Sequence, residues 1–429
     1  MKNILEKRAE RKAEKKEEKE RKKEIKKAIK EKRKEIKQQK AKHQKKLNKK
    51  KMVIAVILGV ILIVAAITML VYYASEDARN FLDQYLFRKN VTQENLETID
   101  LEEYSSDISV FAYNKYICVL AENKLMEYNS SGEIANEIDL EITNPIYNAN
   151  NKYLAICESG GSSFSLISGS NILWSNEIEG EISKIKVNSN GYVAIVITGT
   201  TYKSVIALYD NSGNEIFKIY LSTTTAVDLD ISGNNQYLAF AEVKTSGTTI
   251  QSNVKIVSVA TAKTTPSESI IYTDEAETGK LIVGLKYQGN DKIVCMYDDE
   301  ITVIQNETNT SILSLSEDDE NINFANINLD KYIYRTIEET EGLFNTNTVL
   351  EIENTDTNRL TVYTVEGAAK YVYSSGDIIA IDLGQEVEFV NTSGWLKKRY
   401  YSEQEVQDIV IGNGLAGIVF SDRVEIVNL

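Results

Sequence analysis

Histidine occurs once in this chain, as His43, inside a Lys-rich N-terminal stretch. Everything after that stretch therefore lacks an imidazole base, a Ser-His-Asp arrangement and any His metal ligand. Carboxylates are the abundant alternative. Residues 52–429 hold 54 Asp/Glu, and two carboxyl groups suffice in principle for glycoside hydrolysis. With so many acids, spacing singles out no pair. Asp228-Leu229-Asp230-Ile231-Ser232-Gly233 opens like a calcium loop, but its twelfth position is Ala239, where such a loop needs a bidentate Glu. The same stretch reads equally as the ordinary entry into a strand. The acidic runs 298–300 and 317–320 read as solvated loops. Cys118, Cys157 and Cys295 all lie in apolar, strand-like runs. An odd count leaves at least one thiol free, and the three fit small buried hydrophobes better than a disulfide framework. The expectation is a chain with no catalytic, cofactor-binding or metal-binding set.

The elements that would position any site are easier to read. Residues 52–71 form one apolar run of 20 without a charged side chain. As a helix such a run covers about 30 Å, the thickness of a bilayer core. Residues 1–51 carry 25 Lys/Arg against 9 Asp/Glu, and the other 378 residues carry 24 against 54. Lys49, Lys50 and Lys51 abut the apolar run, and basic residues so placed stay on the cytoplasmic side. Tyr72 and Tyr73 suit the outer headgroup layer. A cleaved signal peptide would have a shorter apolar core and a short basic region. The reading is a single-pass anchor at 52–73, with the N-terminus cytoplasmic and an acidic extracytoplasmic body.

The tail before it is rich in helix formers and contains no Gly or Pro. Its apolar positions are too sparse for a coiled-coil seam. It reads as a solvated, partly helical segment able to lie against anionic lipid. It has no aromatic residue to stack on bases, so nucleic acid is an unlikely partner. Residues 74–95 read as a short helix and linker, with Phe81, Leu82, Tyr85 and Leu86 making one apolar face.

Residues 96–429 repeat. A polar turn followed by an alternating apolar strand appears as NKYICVL (114–120), NNKYLAIC (150–157), NGYVAIVI (190–197), NNQYLAFA (234–241), NDKIVCMY (290–297), LDKYIYRT (329–336), SGDIIAID (375–382) and NGLAGIVF (413–420). Each is succeeded by a second strand with a tight Asn/Asp/Ser/Gly turn. The spacing averages about 40 residues, the size of one four-stranded propeller blade. One position is small in seven copies: Cys118, Ala155, Ala194, Ala239, Cys295, Ala380 and Gly417, with Tyr334 the exception. Small side chains there let neighbouring sheets approach. Two places earlier stand Tyr116, Tyr153, Tyr192, Tyr237, Ile293, Tyr332, Ile378 and Leu415, which read as packing rather than as an aromatic ligand cage. The last copy ends one strand short of a blade. Leu96, Ile99 and Leu101 belong to a strand-like stretch before the first copy, expected to join Val424 and Ile426 in the C-terminal sheet and close the ring. Closure removes exposed sheet edges. The fold class is thus an all-β propeller. Eight blades is the count, with seven as the alternative, because 245–285 and 337–347 read as irregular insertions.

The strings ARNFLDQYLFRKNVTQENLETIDLE (78–102) and YNKYICVLAENKLMEYNSSG (113–132) resemble an uncharacterised family of bacterial single-pass propeller proteins of Gram-positive type. LYDNSGNEI (208–216) and LISGSNILWSNEI (166–178) are similar to quinoprotein-type blades, although Trp174 and Trp395 are the only tryptophans. The resemblance implies a fold and a location, and no cofactor. Together these features point to a non-enzymatic, membrane-tethered binding or scaffold module with membrane lipid and an envelope protein as partners. The alternatives are a signalling protein acting through its tail, and a glycan enzyme working with carboxylates alone. Oligomeric state is not legible.

Overall fold

The computed structural model describes residues 20–23, 26–27, 29–35, 37, 57–72, 96–104, 107–316, 321–341 and 345–429. The chain divides into two compact units, residues 1–79 and 80–429.

In the first unit, residues 57–72 are helical. Ile57, Leu58, Val60, Ile61, Leu62, Ile63, Val64, Ile67, Met69, Leu70 and Val71 are all exposed. Consecutive positions point in every direction around a 3.6-residue helix, so this helix is apolar on all sides. Among the described residues, no helix is long and apolar enough to cross a membrane. The expected span 52–73 is described only between residues 57 and 72. Tyr72 ends the described helix. His43, Lys49, Lys50, Lys51, Tyr73, the 74–95 helix and linker, and the acidic run 317–320 lie outside the described residues.

The second unit is an eight-bladed β-propeller. Its strands form eight four-stranded sheets among the described residues, every pairing antiparallel. From the innermost strand outwards, blade 1 is Ser109–Tyr113, Tyr116–Ala121, Lys124–Tyr128 and Ile134–Asp139. Blade 2 is Pro145–Asn150, Tyr153–Glu158, Ser163–Ser168 and Asn171–Glu177. Blade 3 is Glu181–Val187, Val193–Thr198, Ser204–Tyr209 and Glu215–Leu221. Blade 4 is Thr225–Ile231, Tyr237–Lys244, Gln251–Ser258 and Ile270–Glu275. Blade 5 is Ile282–Gln288, Lys292–Tyr297, Glu300–Gln305 and Thr308–Ser314. Blade 6 is Ile322–Asn326, Tyr332–Glu341, Asn345–Asn354 and Arg359–Glu366. Blade 7 is Tyr371–Ser375, Ile378–Asp382, Glu386–Asn391 and Leu396–Tyr401. Blade 8 is Asp408–Gly412, Leu415–Val419, Arg423–Asn428 and, from the other end of the propeller sequence, Glu97–Asp100.

Glu97–Asp100 pairs with Arg423–Asn428 in the register Glu97↔Ile426 and Ile99↔Val424. Ile99, Leu101, Val424 and Ile426 are buried in one cluster with Ile117 and Val119 of blade 1. Leu96 is half-buried against the neighbouring cluster that contains Val427.

Apolar clusters fill the spaces between sheets, and the second strands supply much of them. The eight small-position residues are all buried, Tyr334 included. Strand period two puts each on the same face as the residue two places earlier. Tyr153 shares a cluster with Ala155, and Tyr192, Tyr237, Tyr116 and Tyr332 pack against the clusters of Ala194, Ala239, Cys118 and Tyr334. At Gly417 a Cβ would lie 2.9 Å from Val424 and 3.0 Å from Val410. All three cysteines are free thiols and buried.

The stretch 337–347, expected to be an irregular insertion, is instead mostly regular. The blade 6 hairpin continues in register through Ile337↔Val349 to Glu341↔Asn345. The Thr, Glu and Asn residues there have the composition of a loop, but Glu339 and Thr340 are exposed, and a hairpin strand facing water needs no apolar face. The 245–285 stretch contains two strands of blade 4 and the start of blade 5, separated by loops at 245–250 and 276–281 and by a longer connection in which Val259–Ala262 forms one helical turn capped by the Ser258 hydroxyl.

The turn between third and fourth strands repeats in blades 1, 3 and 7. Asn129, Asp210 and Asn391 each accept two backbone N–H groups on one side-chain oxygen: from Ser131 and Glu133, from Ser212 and Asn214, and from Ser393 and Trp395. This is how Asn and Asp organise a tight turn. In blade 3 the turn also docks the preceding blade. Gly213 has φ +83° and lies under the Trp174 ring, where a Cβ would come within 2.9 Å. Trp174 Nε1 donates to the Asn211 carbonyl at 3.2 Å, and Asn176 Nδ2 to the Gly213 carbonyl at 2.7 Å.

Candidate functional site: the mouth of the central channel

The innermost strands line the channel and end at one rim of the ring. Their inner edges face no further strand, so some backbone N–H groups lack a ladder partner there. Side chains of the preceding blade supply one. Asp228 and Asp230 are two apart on the blade 4 inner strand and so share a face. Asp228 Oδ2 accepts the Leu285 N–H at 3.0 Å, and Asp230 Oδ2 accepts the Tyr287 N–H at 2.8 Å, both from blade 5. Asn148 of blade 2 does the same for the Val187 N–H of blade 3, at 2.9 Å. The Asp-x-Asp pattern that resembles a calcium loop is thus a polar seam between two blades. Among the described residues, no group of three His, Cys, Asp or Glu is placed to hold a metal ion.

At this rim the channel opens into a cavity of about 830 Å³. Its charged lining comes from the amines of Lys186, Lys286 and Lys397 and the carboxylates of Asp230, Asp330 and Asp377. Asn, Ser and Gly from the inner strands and the short turns make up most of the rest. No aromatic ring is among the lining residues. Lys186 Nζ is 3.7 Å from Asp228 Oδ1, and Lys286 Nζ is 3.7 Å from Asp330 Oδ1. Lys286 also donates to the Asn328 carbonyl. Burial holds the Asp230 carboxyl above its usual range, against the opposing pull of Lys186 and of the N–H groups of Tyr287 and Ile231. Burial likewise pushes the Lys286 amine down, offset by Asp330 and Asp230 and reinforced by Lys186.

The rim turns are tied to one another around this mouth. Asn190 Nδ2 donates to the Gly233 carbonyl, the Gly233 N–H to the Gly289 carbonyl, and the Asn413 N–H to the Asn114 carbonyl. Short turns, linked blade to blade, make a rigid frame for the lining side chains.

The residues expected from sequence to close the ring do not line this mouth. The ring-closing residues Leu96, Ile99, Leu101, Val424 and Ile426 come together away from it, in the apolar layers of blade 8. The residues that do line the mouth carry a local signal. SKIKV (183–187), VDLDI (227–231) and GLKYQ (284–288) each put charge on a strand just before a repeat copy. Charge at that place marks the channel wall once the strand is known to be innermost.

Residues 87–429 match the sequence family described as a family of unknown function, DUF5711. The chain belongs to that family. The match takes in every strand of the propeller, the ring-closing strand included. No curated protein matches the chain in sequence. Among solved structures, BamB from Moraxella catarrhalis is similar at 11% identity and a TM-score of 0.44, over 78% of this chain and 96% of that one. Hydrazine synthase from Kuenenia stuttgartiensis is similar at 10% identity and 0.40, over 74% and 94%. The C-terminal WD40 domain of Sif2 is similar at 12% identity and 0.40, over 67% and 96%. Likeness at this level concerns the propeller architecture alone and says nothing of what the family does.

Proposed function

We propose that this chain is a non-enzymatic binding or scaffold module, tethered by residues 52–73 to the outer face of a bacterial cytoplasmic membrane. The observation that carries the binding reading is the channel mouth: a rigid, closed ring whose polar side chains converge on one open cavity. Function resides on loops held by such scaffolds. Support for the tether is the charge-free run 52–71, basic before and acidic after. Residues 57–71 of it are an all-round apolar helix, the kind of surface that a bilayer covers.

A carboxylate-only enzyme is the weaker reading. It needs two free carboxyl groups facing one bond. The paired acids of the channel, Asp228 and Asp230, spend oxygens on backbone N–H groups.

Topology is the decisive test of the tether. Protease added to intact cells is expected to remove residues 96–429 and spare the tail. A body protected in intact cells and cleaved only after lysis overturns the tether reading. Cross-linking of the full chain beside a variant lacking residues 2–44 then separates an external partner, captured by both, from one reached through the tail.

A further inference from the structure

Resting on the reading of the ring as a binding module, we propose that the channel mouth binds an oxyanion, free or carried on a larger polar ligand, between the ammonium groups of Lys186 in blade 3 and Lys286 in blade 5.

The two lysines project from inner strands on either side of blade 4, into the same cavity. An ammonium group has three donors and no acceptor. Lys186 makes no hydrogen bond among the described residues, and its one ion pair there, to Asp228 at 3.7 Å, is beyond hydrogen-bond reach. Its side chain is only 22% exposed, so water satisfies it incompletely. Lys286 spends one donor on the Asn328 carbonyl. Its carboxylate neighbour, Asp330, is 86% exposed and well screened. Asp230 lies in the lining with them, but its oxygens already accept the N–H groups of Tyr287 and Ile231. Both ammonium groups thus keep donors to spare, beside an Asp228 Oδ1 that has no hydrogen-bond partner of its own.

The groups around this point fit the same ligand chemistry. Burial and the charge of Lys186 both disfavour the charged form of Lys286. An oxyanion placed between them relieves both effects. Its lone pairs meet charge-assisted donors, the stronger class of hydrogen bond. Asn148 lies in the same lining, and its amide Nδ2 offers a neutral donor to the rest of the ligand. With no aromatic ring in the lining, a sugar or a base has nothing to stack on. Asp230, Asp330 and Asp377 oppose bulk anion accumulation. The site therefore favours a ligand that reaches between the lysines over non-specific screening by salt.

The test is calorimetric titration of the full chain in detergent micelles at fixed ionic strength. Inorganic phosphate, citrate and glycerol 3-phosphate are the probes. They separate free phosphate, a carboxylate and a phosphomonoester of the kind that a lipid headgroup carries. The expected result is saturable binding of at least one probe, lost at least tenfold in Lys186→Met and in Lys286→Met. Lys186→Arg should keep it, and Lys115→Met, next to the lining residue Asn114 but outside the lining itself, should leave it unchanged. Lys186→Met takes the cation from the buried Asp228 carboxylate, so melting curves check that each variant folds, and Lys186→Met combined with Asp228→Asn, which removes both charges, takes its place if it does not. Absence of saturable binding for all three probes overturns the proposal, as does binding that survives Lys186→Met. Neither outcome depends on membrane topology, so a failed tether leaves this site standing and a failed site leaves the tether standing.

Discussion

The carboxylate of Asp230 in blade 4 accepts the backbone N–H of Tyr287 in blade 5 at 2.8 Å. Two residues earlier on each strand, Asp228 accepts from Leu285 at 3.0 Å. The two acids do for the blade 5 inner edge what another strand would do in a continuous sheet. An unpaired edge is a liability, and here side chains cover it while the channel stays open.

Asp228→Ala leaves the buried Leu285 N–H without an acceptor. It should lower stability by about 1–3 kcal/mol, the usual cost of an orphaned buried donor. Urea unfolding of the parent and variant measures it. A change within a few tenths of a kcal/mol would mean that water replaces the carboxylate.

Asp230→Asn separates the hydrogen bond from the charge. Burial raises the Asp230 carboxyl above its ordinary pKa, so the folded chain binds that proton more tightly than the unfolded chain. The charged form then costs stability at neutral pH, and the cost fades as pH falls through the raised pKa. Asn keeps an acceptor and carries no charge. The stability of Asp230→Asn relative to the parent should be greatest at neutral pH and should decline on acidification. Melting curves across that range check the sign, and a relative stability that rises on acidification contradicts it.

Ile99 and Val424 face each other across the strand pair that closes the ring, exposed 2% and 0%. Ile99→Ala should cost about 2–5 kcal/mol. Deleting residues 96–101 should destabilise every blade together, because it frees both the third-strand edge of blade 8 and the apolar layer against blade 1. A single cooperative transition moved to lower temperature is the expected scan. An unchanged melt would show that this strand is dispensable.

Gly213 and Gly160 provide a matched comparison. Both have positive φ, +83° and +69°, but a Cβ at Gly160 meets nothing within 4 Å, whereas one at Gly213 meets the Trp174 ring at 2.9 Å. Alanine at either site incurs the backbone strain, of order 1–3 kcal/mol. Gly213→Ala should be the worse of the two by the cost of displacing Trp174. Equal losses of melting temperature would show that the ring yields freely.

Glu127 is fully buried, bonded through one oxygen to Asn136 Nδ2 at 2.7 Å, and its Oε1 has no partner. Burial raises its pKa. Glu127→Met keeps the volume and removes the charge. It should stabilise the ring at neutral pH by on the order of 1 kcal/mol, with a smaller gain as pH falls through the raised pKa. Denaturant midpoints at neutral and mildly acidic pH test both parts.

The repeat, the blade count and the closing strand are all legible in the amino-acid order. Period-two alternation and turns such as DNSGN (210–214) are local properties, and each strand must bury one face whatever its neighbours are. The small residue at Ala155 or Ala194 is legible for the same reason, since it recurs where two sheets approach. The 337–347 stretch hides its strands because hairpin strands rich in Thr, Glu and Asn have the composition of loops. The channel mouth belongs to the folded ring alone. Lys186, Asp230, Lys286 and Asp330 lie up to 144 residues apart in the chain and meet because closure brings inner strands and rim turns of four blades to one place. Asp228-x-Asp230 looks the same in sequence whether it opens a calcium loop or caps the N–H groups of another blade. The choice is made by which donors stand opposite, and those arrive only with the fold.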